Sequence, residues 1–500
     1  KEKFFNAADE ELQALAKSLN TDISTSRLYF PHIGNAENSP KVVVLLVQFP
    51  DCKFKAEDPV TAFNYFLNSE RGDEAPAALT NYYKGSNLGS VKQYFKDMSC
   101  GAFTPKFEIK GVVTVSKSYA YYGEEPTSGS GHDIHCTEMV EEACKLAKSE
   151  LGVNFSDYDQ NNDGKADLVY IIYAGLGQNN GGAANTLWAK TVVPANVNIG
   201  DGEYIYSYGI NSELNPASNN GDKNASYISG IGVFCHEFSH CMGLPDLYPY
   251  NTAAYLNDQE PEYWDLMDAG EYMNNGRYPT PYSPWELDIM GWDSEIETLD
   301  NTARQITMQP YYKERKSYKI EAPDGQYLLL QNIQKKEWWV GYPSHGLLIH
   351  RIDYNRNSVG LDYRMNQTPG SPEVTILPAD GVIINGYLSG DQGQYTSTEY
   401  INSLYGDPFP GSEDVTQLLE AKLNNNVVLS NLLYNIKEEN GIITFDYLKD
   451  FPTGIDSPIV DSGTAEDARI YTLDGRYLGT DKRQLTKGVY IIGKKKVVIR

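Results

Sequence analysis

GVFCHEFSHCMGLPDLY, running from Gly232 to Tyr248, is the stretch whose reading decides both fold and chemistry. Within it His236, Glu237 and His240 form the pattern H-E-x-x-H. If the piece is helical, His236 and His240 stand one turn apart on one face, where two imidazoles can share a metal ion while Glu237 faces bound water. Three fixed positions arise by chance in a chain this long on the order of one time in a hundred, so the extension to Gly243 and Asp246 carries weight. In HExxHxxGxxD the glycine can take positive φ, end the helix and turn the chain back, which lets Asp246 offer a third ligand. Leu244 and Pro245 fit the same stop. Three protein ligands leave a fourth position for water, as in a catalytic zinc site and unlike a closed structural one. The competing reading is two core histidines on an amphipathic helix, which leaves Glu237 an odd neighbour in an apolar interior.

Together with WDLMDAGEY, Trp264 to Tyr272, this stretch resembles the immune inhibitor A family of secreted bacterial metallopeptidases. The resemblance implies that His236, His240 and Asp246 bind zinc and that Glu237 is the general base. Met267 resembles the Met-turn beneath the zinc of metzincin-type peptidases, its plain alternative being one more apolar core residue. Tyr272 is the candidate second donor to the oxyanion. Metzincins with such a tyrosine usually carry it nearer the methionine, so a core or rim tyrosine stays open. GSVKQYFKDMSCGAF from Gly89, NTLWAKT from Asn185 to Thr191 and PTPYSPWELDIMGW from Pro279 to Trp292 are also similar to the family, and the likeness runs to about Tyr354.

KVVVLLVQF, Lys41 to Phe49, is a continuous apolar, β-branched run that predicts a buried strand opening the catalytic domain. A helix is expected after Ser90, with Val91, Tyr94, Phe95 and Met98 on one side and Gly101 as its stop. Phe107 to Ser116 predicts a strand and Asp133 to Leu151 a helix. His132 and His135 at the start of that helix have metal-compatible spacing, but no carboxylate or cysteine is placed with them, and they read as surface histidines. DYDQNNDGKADLVYIIYAG begins at Asp157. Its Asp159, Asn161, Asp163 and Asp167, with Gly164 for the sharp turn, match the first part of a calcium loop. Tyr170 stands where an EF-hand carries its bidentate glutamate, so the expectation is a calcium-type turn feeding a strand, with an Asx-rich turn as the alternative.

Composition bounds the partners. The 500 residues suffice for two or three domains, and Lys+Arg 42 against Asp+Glu 67 gives a net charge of -25, which argues against nucleic acid and anionic lipid. The six cysteines make no C-x-x-C pair, and Cys235 and Cys241 point to different faces of the metal helix, which disfavours a bridge between them. Cys52 with Cys100 stays an open pairing. No apolar run reaches membrane-spanning length, and a start at Lys1 without a signal peptide reads as a processed or trimmed secreted chain.

The expected architecture is α+β. Residues 1–40 form an N-terminal arm or pro-segment remnant, beginning with the helical pattern DEELQALAKSL. Residues 41–300 form a metzincin-like zinc peptidase domain. Residues 301–450 form a mostly antiparallel β domain, predicted from alternation in YLLLQNIQ, GLLIHRID and VTILPAD, with His345 and His350 structural. Residues 451–500 form a small β tail with a hairpin signal at Asp474-Gly475 and a second joint at Lys487-Gly488. This tail resembles the sorting domains that carry bacterial proteins across the outer membrane by the type nine secretion system, the alternative being a plain terminal β-module. The function expected is a secreted or cell-surface zinc endopeptidase acting on protein or peptide substrates, with calcium as a second ion and the secretion machinery as a partner. The competing class is an inactive or latent surface protein that grips glycan or protein through its β domain.

Overall fold

In the computed structural model the chain divides into two compact units, Lys1–Lys449 and Asp450–Arg500. The structure describes residues 39–448 except 80–86, 128–131, 216–226, 252, 255–259, 293, 355–364 and 385–395, and in the second unit residues 470–472, 477–479, 485–492 and 495–499. The helix expected in DEELQALAKSL lies outside the described residues.

The first unit opens with strand β1 (Lys41–Gln48) and helices α1 (Pro59–Asn68) and α2 (Val91–Met98). Then come β2 (Lys106–Thr114), α3 (Cys136–Leu151), β3 (Lys165–Leu176), β4 (Lys190–Val192), β5 (Val197–Gly200), β6 (Glu203–Asn215), β7 (Tyr227–Ile228) and the helix α4 (Gly232–Cys241). The sheet runs β2-β1-β3-β6-β4, parallel through β6, with β4, β5 and β7 pairing antiparallel to β6. Alternation along β1 shows why it reads as one apolar run. Val42, Val44 and Leu46 belong to the core cluster that holds Phe234 and Phe238 of α4, whereas Val43, Leu45 and Val47 pack with Met139, Val140 and Ala143 of α3. Both faces of the sheet are thus covered by helices.

Helix α2 is capped as expected, Ser90 Oγ accepting from the Gln93 amide at 3.1 Å. The helix predicted from Asp133 starts three residues later. Asp133 takes φ 58°, and its carboxylate reaches away to the Trp188 amide at 2.8 Å and Lys190 Nζ at 2.6 Å, so residues 133–135 form a turn.

Helix α5 (Pro284–Ile289) carries a capping box between Ser283 and Glu286 and leads into β8 (Glu295–Thr298), β9 (Arg304–Met308), β10 (Lys316–Glu321), β11 (Tyr327–Ile333), β12 (Gly346–Ile352) and β13 (Val374–Ile376). After helix α6 (Ser397–Gly406) come β14 (Leu418–Lys422), β15 (Val428–Glu439) and β16 (Ile442–Tyr447). They form a sheet β13-β12-β11-β10-β8, antiparallel except for the β8–β10 pair, and an antiparallel sheet β14-β15-β16-β9. The α+β class holds, but alternation was the wrong reading of YLLL and GLLI. Leu329 and Leu348 face the catalytic core while Leu328, Leu330, Leu347 and Ile349 face the second sheet, so these strands are buried on both sides.

In the second unit β17 (Ile470–Thr472), β18 (Tyr477–Gly479), β19 (Gly488–Ile492) and β20 (Lys495–Ile499) form an antiparallel sheet in the order β18-β17-β19-β20. Gly488 opens β19. None of the six cysteines forms a disulfide, so the open Cys52–Cys100 pairing is not made.

Candidate metal centre

The metal helix begins where two segments touch. A Cβ on Gly232 would lie 1.9 Å from the Glu271 carbonyl oxygen, so only glycine lets the Met267–Tyr272 segment close over the first turn of α4. At the other end Gly243 takes φ 97°, and the Leu244 amide donates to Ser239 O at 3.1 Å, ending the helix as the sequence predicts. The chain then doubles back and presents Asp246.

His236, His240 and Asp246 are buried and converge. The two Nε2 atoms lie 3.1 Å apart, and Asp246 Oδ1 lies 3.2 Å from His236 Nε2 and 3.1 Å from His240 Nε2. Each imidazole commits its other nitrogen to a backbone carbonyl: His236 Nδ1 to Leu266 O at 2.8 Å and His240 Nδ1 to Leu244 O at 2.7 Å. With the protons held at Nδ1, three lone pairs face one point. That arrangement is unfavourable without a cation between them. The triangle also has the right size. Edges of 3.1–3.2 Å are those of a tetrahedron whose centre lies about 2 Å from each vertex, matching zinc–nitrogen and zinc–oxygen bonds of about 2.0–2.2 Å. The donor set therefore fits zinc.

The surroundings favour positive charge. Burial opposes ionisation of His236, but Glu271, Asp246 and Glu237 outweigh it and raise its pKa; for His240 burial is likewise outweighed, chiefly by Asp246. Asp246 is held well below the usual carboxylate range, burial being overcome by the two histidines. Glu237 goes the other way. Burial pushes its carboxyl up to about 7, against the two imidazoles. Its Oε2 lies 2.9 Å from Thr191 Oγ1 on β4.

Met267 is buried in the cluster that contains Cys235 and Phe238, and its carbonyl accepts from the Leu247 amide at 2.9 Å, tying its segment to the loop that carries Asp246. Tyr272 is half-buried, with its hydroxyl 3.5 Å from Asn179 Nδ2 and bonded to neighbouring Glu271. The structure thus brings the three candidate ligands and Glu237 together and gives the Tyr272 hydroxyl partners of its own.

Five further residues support the site without being singled out in the sequence. Thr191 holds Glu237, and the Tyr250 hydroxyl binds Asp246 Oδ2. Glu271 Oε2 lies 4.0 Å from His236 Nδ1. Beside Met267 lie the buried carboxyls of Asp265 and Glu286, both pushed up in pKa by burial, and Asp265 Oδ1 accepts from the Met267 amide at 2.8 Å. Thr191, Asp265, Glu271 and Glu286 lie in stretches similar to the family but nothing there marks them individually except the capping-box spacing of Glu286 from Ser283, and Tyr250 has no sequence signal.

The calcium-type loop is held by its own side chains. Asp159 accepts from the amides of Asp163 and Gly164 at 3.0 and 2.9 Å, and Asp163 from that of Lys165 at 2.9 Å. Asp159, Asp163 and Asp167 do not converge as the candidate zinc ligands do; among the described residues His236, His240 and Asp246 form the one such cluster. His132 pairs with Glu125 at 2.8 Å and stacks on Trp188, and His135 pairs with Glu138 at 3.2 Å and stacks on Tyr121. His345 pairs with Glu438 at 2.8 Å, while His350 is buried in β12 with its pKa lowered to about 4 by desolvation.

A mixed sheet backed by an H-E-x-x-H helix, with a third ligand delivered by the turn that follows, defines a metallopeptidase-type centre. Residues 30–294 match the immune inhibitor A peptidase M6 catalytic domain, and the chain belongs to that family, with His236, His240 and Asp246 as candidate zinc ligands. The chain is 27% identical over 300 residues to the pre-pro-metalloprotease PrtV of Vibrio cholerae serotype O1, in strains M66-2 and ATCC 39315 / El Tor Inaba N16961, covering 53% of this chain and 31% of that protein. It is 29% identical over 305 residues to immune inhibitor A of Bacillus thuringiensis subsp. alesti, covering 53% of this chain and 42% of that one. The match therefore spans less than half the length of these relatives. No helix among the described residues is long and apolar enough to cross a membrane.

Proposed function

We propose that the chain is a secreted zinc endopeptidase that cleaves extracellular proteins. The observation that carries the reading is the triangle of His236 Nε2, His240 Nε2 and Asp246 Oδ1 beside the buried carboxyl of Glu237. Bound zinc supplies Lewis acidity that acidifies a water and polarises the scissile carbonyl. Glu237, aligned by Thr191, takes the water proton and passes it to the leaving amine. Tyr272 is the proposed second donor to the oxyanion, tested by loss of turnover without loss of substrate binding in Tyr272→Phe. The outer strand β4 is the proposed edge along which an extended peptide adds, supported by its position at the end of the sheet and by the contact of Thr191 with Glu237. The test is zinc content measured beside cleavage of denatured casein. Zinc without cleavage under any activation sinks the peptidase reading and favours a binding protein.

Two finer parts of the proposal have separate support. A calcium ion at the Asp159–Asp167 loop is favoured by Asp167, which is buried with Oδ1 unpaired and whose pKa burial pushes up to about 7. Calcium would then raise the melting temperature by mass action, and equal melting with calcium or with a chelator that spares zinc removes the site. Export through residues 451–500 is favoured by their sequence resemblance and by their forming a unit of their own. Truncation from Gly454 should abolish export and spare peptidase activity, and normal export of the truncated chain overturns the address.

A further inference from the structure

We propose that Asn366 and Gln367, far along the chain in the β-rich part, are positioning residues that hold the Asp246 loop in its metal-binding geometry. The inference rests on the metal-site reading above. His236 and His240 are placed by the backbone hydrogen bonds of α4, but Asp246 lies beyond the helix stop and has no regular structure to fix it. Its Oδ1 must nevertheless stay within 3.2 Å of both imidazoles.

The loop that carries it is clamped from outside. Asn366 Nδ2 donates to Leu247 O at 2.7 Å, one residue past the ligand, and to Val374 O at 2.7 Å. Asn366 Oδ1 accepts from the amides of Glu373 and Val374 at 2.9 and 3.0 Å, so the side chain is anchored at the start of β13. Asn366 is buried and takes φ 61°, a conformation asparagine tolerates better than most residues. Gln367 completes the clamp. Its Oε1 accepts from the amides of Tyr250 and Asn251 at 2.9 and 3.0 Å, and its carbonyl accepts from Asn251 Nδ2 at 3.0 Å. Tyr250 is the residue whose hydroxyl binds Asp246 Oδ2. A chain of contacts therefore runs from Gln367 through Tyr250 to the oxygen of Asp246 that faces away from the histidines, while Asn366 fixes the next peptide. Because β13 pairs with β12, Asp246 is referenced to the β13-β12-β11-β10-β8 sheet as well as to its own helix. Outer-shell partners of this kind set ligand orientation, and their loss weakens metal binding by about 10- to 100-fold.

The test uses the full chain and reads zinc affinity by competition with a chromophoric chelator, with the melting temperature of the metal-free protein measured alongside. Asn366→Asp removes both Nδ2 donors, and Gln367→Ala removes both acceptor bonds from a half-buried position less exposed to folding failure. Each should bind zinc about 10- to 100-fold more weakly, with Gln367→Ala melting near the wild type when metal-free and Gln367→Glu, which keeps the acceptor, recovering most of the affinity. Wild-type zinc affinity in Gln367→Ala would overturn the clamp while leaving the metal site standing. A wild-type chain that takes up no zinc would overturn the metal-site reading and the clamp with it.

Discussion

Thr191 Oγ1 lies 2.9 Å from Glu237 Oε2 and 2.7 Å from the Glu237 carbonyl oxygen, joining the outer strand of the sheet to the metal helix at the proposed base. The hydroxyl has one proton for two acceptors, and the share given to the carboxyl is the proposed restraint on Glu237. Thr191→Val keeps the shape and removes the donor. A hydrogen bond to a charged group contributes about 1.5–3 kcal/mol, so turnover should fall roughly ten- to a hundred-fold with zinc content unchanged. Steady-state kinetics beside metal analysis checks this, and unchanged kcat would remove Thr191 from the mechanism.

Gly232→Ala probes the close approach at the start of α4. The added Cβ would meet the Glu271 carbonyl oxygen at 1.9 Å, and neither partner is a flexible side-chain end. The Met-turn segment must shift, at a cost of about 1–3 kcal/mol. Denaturant unfolding should show the loss with the slope unchanged; wild-type stability would mean that the segment yields freely.

What was legible in the sequence was local. H-E-x-x-H is fixed by one helical turn, Gly243 by its backbone conformation, and Lys41–Gln48 by a run that only a strand buried on both faces requires. What was not legible depends on contacts between distant segments. Thr191 meets Glu237 across 46 residues, and Asn366 meets Leu247 across 119, with no spacing rule to announce either. The antiparallel strands expected after residue 300 are present, but Tyr327–Ile333 and Gly346–Ile352 do not alternate as expected, because a sheet sandwiched between two cores loses the polar face that alternation needs. The helix expected from Asp133 began late because its carboxylate was committed to Trp188 and Lys190.

Glu213 on β6 gives a pH dependence. Its buried carboxyl accepts from the amides of Lys55 and Ala56 at 2.7 and 3.0 Å, yet burial lifts its pKa from 4.5 to about 7. The folded state thus binds this proton more tightly than the unfolded state. Its contribution to stability is full below pH 4.5 and is lost as pH rises from there through about 7. Glu213→Gln should flatten the stability profile in that window. A wild-type slope retained in the variant would assign the dependence elsewhere.

The most direct test separates metal binding from catalysis in two variants, reading zinc per chain by elemental analysis beside the rate of casein cleavage. Glu237→Gln keeps the size of the base and cannot accept the proton, so it should hold about one zinc per chain while losing a hundred- to ten-thousand-fold in rate. Asp246→Ala should lose zinc as well as activity, because two histidines alone cannot complete the triangle. Full zinc and near-normal turnover in Asp246→Ala, or near-normal turnover in Glu237→Gln, would contradict the account.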